Sequence, residues 1–386
     1  MSTRLVPYRR CGLESCAPFE KRPSSAWPAA VEHVQNAIEK AKSWLIHSGI
    51  QREDGGVARF HRVDSDESGP VSTEITGYLA SGLAFLRGCG CAQLKRSADF
   101  LVEEAWDVDE CFLRYEPGTA AGQRACSYFF DCGIAGLALV QYWELTGDRR
   151  YLKSALEIGR SMLVDFPASN GAFTPVITLP GKEPMPYGAW WSKAPGCYQL
   201  KAALLWLRLS ECVDEHAFGN AFRKVMAYAV EDSESFLSGP ADDKMMDRLH
   251  AFLYFLEGLL PLAGERAYGH LILRGLASAT GVLRKMTPAF VRSDVCAQLV
   301  RLRLFAHEAA RLPLDADSVD REIQELLAFQ FKSADTRING AFCFGSRAGV
   351  LLPYANPVST VFAAQALAFW LRFRSGQLSH DWRTVI

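Results

Sequence analysis

The stretch MMDRLHAFLYFLEGLL (residues 245–260) sets Asp247, Arg248 and His250 at the entrance of an otherwise apolar helix. Exposed N–H groups and the helix dipole favour acidic residues at a helix start, which accounts for Asp247 but not for its two neighbours. A carboxylate, a guanidinium and an imidazole grouped in this way can move protons and hold an anionic ligand. Other helix starts repeat the pattern with Glu74 and Tyr78, with Tyr128 and Asp131, and with Tyr198 and Gln199. Arg292, Asp294 and Gln298 follow, and then Asn356, Ser359 and Thr360. Segments between helices add Asp54, Arg59, His61, Trp190, Trp191, Lys193 and Tyr354. Gathered in one cup, such residues suit a sugar, because aromatic faces stack on its C–H surface and polar groups bind its hydroxyls.

Within this set Asp131, His250, Glu74 and Asp247 are the expected catalytic residues. Asp131 follows YFF and precedes CGIAGLALV, so it reads as lying deeper than a helix cap. A carboxylate buried there needs a partner or a raised pKa. Capping alone accounts equally well for Asp294, which follows Ser293, and for Ser359. Ser72 is a candidate cap in front of Glu74. The remaining residues are expected to bind substrate, with Arg248 and Arg292 suited to a carboxylate.

The elements that must position these residues are helices, since strand patterns are almost absent. Twelve are expected, at about 27–47, 72–86, 92–105, 128–147, 149–165, 196–213, 216–236, 245–260, 265–285, 293–312, 318–332 and 356–373. The even-numbered ones are apolar nearly all round, as a helix buried on every side must be, while the odd-numbered ones are amphipathic. Six outer–inner pairs joined by short turns such as TGDRR predict an all-α fold, a single (α/α)6 toroid spanning 27–386 after an N-terminal extension at 1–26. An open solenoid is the rival arrangement, and the wholly apolar inner helices argue for closure. DGGVARF, NGAFTP and NGAFCFGS each read as a glycine turn followed by a short β fragment. All three precede an inner helix, so they are expected at the pole where the inner helices begin.

Composition narrows the function. The 386 residues are 49% hydrophobic and 22% charged, with a formal net charge of −1. That charge offers no basic stripe for a nucleic acid. No apolar run reaches a membrane-spanning length, and MSTRLVPYRRCGLESC has no apolar core of a secretory signal. Eleven scattered cysteines lack paired zinc-site spacing, so a reduced, cytoplasmic protein without a metal or other cofactor is expected.

The DGG turn (54–56), TEITGYL (73–79) and FDCGIAGLALVQYWELTGDRRYLKSALEIG (130–159) resemble the six-hairpin carbohydrate-active enzymes. This superfamily includes unsaturated glucuronyl hydrolases, N-acylglucosamine 2-epimerases and glucuronyl C5-epimerases. The chain also resembles uncharacterised proteins of polysaccharide gene clusters that combine a DGG turn with a TGY helix start. The resemblance implies general acid/base chemistry on a sugar or polysaccharide containing uronic acid, by an epimerase, a lyase or a hydrolase. The 2-epimerases use two inner-helix histidines, and only His250 lies at such a position here, His307 falling near the far end of its helix. The hydrolases use two aspartates; Asp131 matches one, with Asp54 or Asp247 as the other. A C5-epimerase or lyase would draw on His250, Tyr78 or Tyr128, and Arg248 or Arg292. Two other classes remain open: a non-catalytic glycan-binding or scaffold protein, and a terpene cyclase-like enzyme suggested by DDKMMD (242–247).

Overall fold

A computed structural model describes residues 27–88, 90–117, 125–167, 170–240, 242–314, 316–379 and 381–386. The expected extension at 1–26 lies outside them. Twelve α-helices are described: α1 (Trp27–His47), α2 (Thr73–Arg87), α3 (Ala92–Phe100), α4 (Phe129–Thr146), α5 (Arg149–Asp165) and α6 (Gln199–Cys212). They continue with α7 (His216–Ser233), α8 (Asp243–Gly258), α9 (Arg266–Met286), α10 (Ser293–Ala310), α11 (Ala316–Leu327) and α12 (Pro357–Arg374). α3 runs on through a wide turn at Leu101–Ala105, and α11 stops five residues short of the expected 332.

Each even-numbered helix packs on the next even-numbered one, and α12 packs back on α2. The inner ring is therefore closed, as the uniform apolarity of these helices requires. Each inner helix also packs on an outer partner, α2 on α3 through α10 on α11, and α1 covers α12. Small residues permit the close inner contacts: a Cβ on Gly133 of α4 would sit 2.5 Å from the Ala202 Cα of α6.

Short antiparallel strands stitch the outer-to-inner connections together. His61–Arg62 pairs with both Glu67–Ser68 and Tyr354–Ala355; Cys126–Tyr128 pairs with Val176–Thr178; Phe290–Arg292 pairs with Gly345–Arg347. Side chains from the first turns of inner helices hold the three glycine-turn segments. The N–H of Val57 donates to Thr76 Oγ1 at 3.0 Å, that of Phe342 to Thr360 Oγ1 at 2.9 Å, and that of Phe173 to Gln199 Oε1 at 3.2 Å. Each bond satisfies a buried amide that would otherwise be costly to leave unpaired.

A second buried polar group crosses the inner ring. Glu257 of α8 lies 3.2 Å from Lys201 of α6 and 2.6 Å from Arg301 of α10. Arg301 also donates to Gln365 of α12 at 2.8 Å and stacks on Phe362. Charges at such depth persist only when paired. No helix among the described residues is long and apolar enough to cross a membrane.

Candidate functional site

Four inner helices and the segment before α2 supply one connected set of charges at the pole. Asp131 is the third residue of α4 and only 3% exposed. Its Oδ2 has no hydrogen-bond partner. Burial pushes its carboxyl well above the ordinary range, and the nearby Glu74 carboxylate pushes it further; Arg59 only partly offsets this. Glu74, second in α2, is raised chiefly by burial as well, against the pull of Arg59 and Arg292. Two carboxyls in this relation cannot both ionise easily, which favours a proton held on Asp131.

Arg59 stands beside the pair. Its Nε donates to Glu116 Oε1 at 2.9 Å, its guanidinium lies 4.4 Å from the Tyr115 ring centroid, and its buried Nη2 has no partner. Tyr115 in turn packs on Tyr128, 4.5 Å between centroids. Arg59 is thus a cation of the cup with a donor to spare.

On the other side, Arg292 is held as a clamp. It occupies the cap position of α10, placed by the strand Phe290–Arg292, and its side chain turns onto two carboxylates. Nε and Nη2 reach Asp294 at 3.0 and 2.6 Å, and Nη1 reaches Asp247 at 2.7 Å. Burial raises the Asp294 pKa, but Arg292, His250 and the Val295 N–H outweigh it and keep the group below its usual value. Asp294 therefore stays ionised.

His250 completes this side. Its Nδ1 is 2.8 Å from Gln298 Oε1 and 3.9 Å from Asp294 Oδ2, and its ring packs on Tyr254 at 4.4 Å. Burial, reinforced by Arg292, drives its pKa down to about 3. The imidazole is neutral at physiological pH, and with Gln298 Oε1 accepting, Nδ1 carries the proton. Trp191 packs against this aromatic floor, with ring centroids 4.8 Å from Tyr198, 5.8 Å from Phe130, and 6.2 Å from both His250 and Tyr254.

Several expected site residues are employed elsewhere. Asp54 is exposed, and its carboxylate closes its own turn by accepting from the Gly56 N–H at 2.9 Å. His61 is buried against Ser68 and Asp66, at 3.3 and 3.5 Å. Gln199 spends both ends of its amide on Phe173, and Asn356 caps α12 by accepting from the Ser359 N–H at 2.9 Å. Tyr354 packs edge-on against Phe60 and under Arg62. Ser72, at the cap position of α2, makes no side-chain cap bond. Tyr78 lies deeper in the ring, parallel to Tyr254; burial pushes both phenols well up, as it does Tyr128, so none supplies a phenolate base. Asp247 and Arg248 stand at the outer edge with Trp190. The sequence reading missed Tyr115, Glu116 and Tyr254. The first two come from a connection with no recognisable motif, and Tyr254 sits one helical turn after His250, a spacing that could have marked it.

No protein-family model matches the chain, and no curated protein matches it in sequence. Solved structures do match. A cellobiose 2-epimerase from Spirochaeta thermophila superposes over 90% of this chain and all of its own, with a TM-score of 0.65 and 13% identity. The chain has the (α/α)6 toroid fold. An unsaturated glucuronyl hydrolase specific for heparin gives 0.62 over 90% of this chain and all of its own at 10% identity. A D-mannose isomerase also gives 0.62, over 90% of this chain and 99% of its own at 10% identity. At these identities the likeness is one of fold, and sites on a shared fold diverge.

Proposed function

We propose that the pole is the active site of a carbohydrate-active enzyme that uses the Asp131–Glu74 pair to transfer protons to and from an acidic sugar. The observation that carries this reading is the pair itself: two carboxyls raised by burial, Asp131 further by Glu74 and Glu74 further by Asp294, beside an arginine with an unpaired N–H. Carboxyls pushed apart in pKa by their surroundings are how one site holds both an acid and a base at neutral pH. Asp131, the more strongly raised, is the proton donor; Glu74, drawn towards ionisation by Arg59 and Arg292, is the acceptor. The unpaired Nη2 of Arg59 takes the sugar carboxylate, and Trp191 supplies a stacking face. The toroid neighbours, whose names are those of sugar epimerases, isomerases and hydrolases, support a sugar as substrate; its acidity rests on Arg59 alone.

Hydrolysis is preferred to epimerisation or elimination at C5. A C5 base must take a carbon-bound proton, and a histidine with a pKa of about 3 is too weak for that at neutral pH. The test is to incubate the protein with uronic-acid oligosaccharides in D2O and follow them by NMR. Shortened chains without deuterium at C5 are expected. Deuterium at C5 would make the reaction an epimerisation or elimination with Glu74 or His250 as base, and binding without any reaction would make the pole a recognition surface.

A further inference from the structure

The segment that carries Trp191 also presents Trp190, and the two adjacent indoles meet different surroundings. Trp191 is fixed among four rings, whereas Trp190 is 54% exposed. The anchored neighbour holds the backbone, so the exposed indole has a defined place. Beside it, against the first turns of α8, lies a cavity of about 350 Å³ lined by Trp190, Trp191, Asp242, Lys244, Asp247 and Arg248 among others. That volume falls in the range of small-molecule sites.

The charges on its walls are unequal once their existing bonds are counted. Asp242 accepts from the Met245 N–H at 3.0 Å, and Asp247 accepts from Arg292 at 2.7 Å. Arg248 gives one Nη1 bond to the Ser238 carbonyl at 2.9 Å, while its Nε is shielded from solvent and has no partner. Lys244 is exposed. What remains for a ligand is the rest of the Arg248 guanidinium and an ammonium near an indole face. A pyranose carboxylate and a pyranose C–H face fit these groups respectively. Asp247 joins this cavity to the central site through Arg292 and Asp294.

We propose that this cavity is a second subsite, which takes the acidic sugar unit next to the one held at the Asp131–Glu74 pair. The substrate class is then an oligomer with at least two neighbouring acidic sugars, and not a free monosaccharide. This rests on the reading of the pole as a site for an acidic sugar.

Calorimetry with galacturonate, glucuronate and mannuronate monomers and their dimers tests it. The best-binding dimer should exceed its monomer by about tenfold or more in affinity. In Trp190→Ala and Arg248→Gln that ratio should fall to near one, with the melting temperature of each variant confirming the fold. Methyl-esterification of the dimer should have the same effect on the wild type. A wild-type ratio near one, or a ratio unchanged in both variants, overturns the subsite. The D2O experiment on the same dimer separates the two readings. Cleavage without a Trp190-dependent gain leaves the acid pair standing and removes the subsite. A Trp190-dependent gain without chemistry does the reverse, and no binding by any of these ligands overturns both.

Discussion

Asp131→Asn should stabilise the protein while abolishing turnover, and the stabilisation should grow with pH. Asp131 has a folded-state pKa raised well above its unfolded value, so the chain takes up a proton on folding. The carboxyl carries no penalty below the unfolded value, about 3.9. As pH rises from there towards the folded value, stability is lost at about 1.4 kcal/mol per pH unit. Asparagine keeps the shape and does not titrate, so the variant escapes this loss. For 386 residues the unfolding entropy is about 0.8 kcal/mol/K, so each pH unit in that window should widen the melting-temperature difference by about 2 °C. Scanning calorimetry of wild type and variant at pH 4, 5 and 6, with oligouronate turnover measured alongside, reads both effects. A variant that melts below wild type at pH 6, or a difference that does not change with pH, would refute the electrostatic account of Asp131.

Other perturbations probe the frame around the pair. Glu257→Gln leaves Lys201 and Arg301 facing each other in the core and should cost about 3–5 kcal/mol, read by denaturant unfolding. Arg292→Gln removes a cation that depresses His250 and frees Asp294 to act on it, so the imidazole pKa should rise from about 3, measured by NMR titration of its ring protons. Gly340→Ala places a Cβ against the Lys40 carbonyl at a φ of +92°, and should lower stability by about 1–3 kcal/mol in the same unfolding assay. Gln199→Leu removes both amide bonds to the Phe173 backbone; it should lower the melting temperature while leaving the affinity for an oligouronate within about twofold, since one lost buried pair affects packing rather than the cup.

The ring was legible in the sequence because inner and outer helices face different solvents. A helix surrounded by protein must be apolar on all sides, and α2 through α12 announce this in every second element. Convergence of the inner-helix starts followed from the same alternation. What a linear reading does not supply is the direction in which each first-turn side chain points. Thr76, Gln199 and Thr360 point to the preceding segment and become clamps, whereas Glu74, Asp131 and Asp294 enter the connected set of charges at the pole. Both groups look alike as polar residues at the head of an apolar helix. The Lys201–Glu257–Arg301 cluster could have been anticipated, since a charge inside an all-apolar helix requires a partner.

This double use of the first turns bears on how the site keeps its geometry. The clamps tie each glycine-turn segment to an inner helix, and the segment before α2 is the one that carries Arg59. Arg292 is likewise fixed by two carboxylates from two helices, α8 and α10, rather than left free for substrate. The pole thus divides into an ionised side, where Asp294 and Arg292 neutralise each other and burial, with Arg292, keeps His250 uncharged, and a side where burial favours the protonated form of Asp131 and Glu74. A fixed ion pair changes little when a ligand arrives, whereas Asp131 and Arg59 each retain an unsatisfied atom. Unpaired buried groups are costly to keep in a resting protein, and a ligand that meets them recovers that cost as binding energy. Asp131 and Arg59 are therefore where an incoming acidic sugar would recover such a cost.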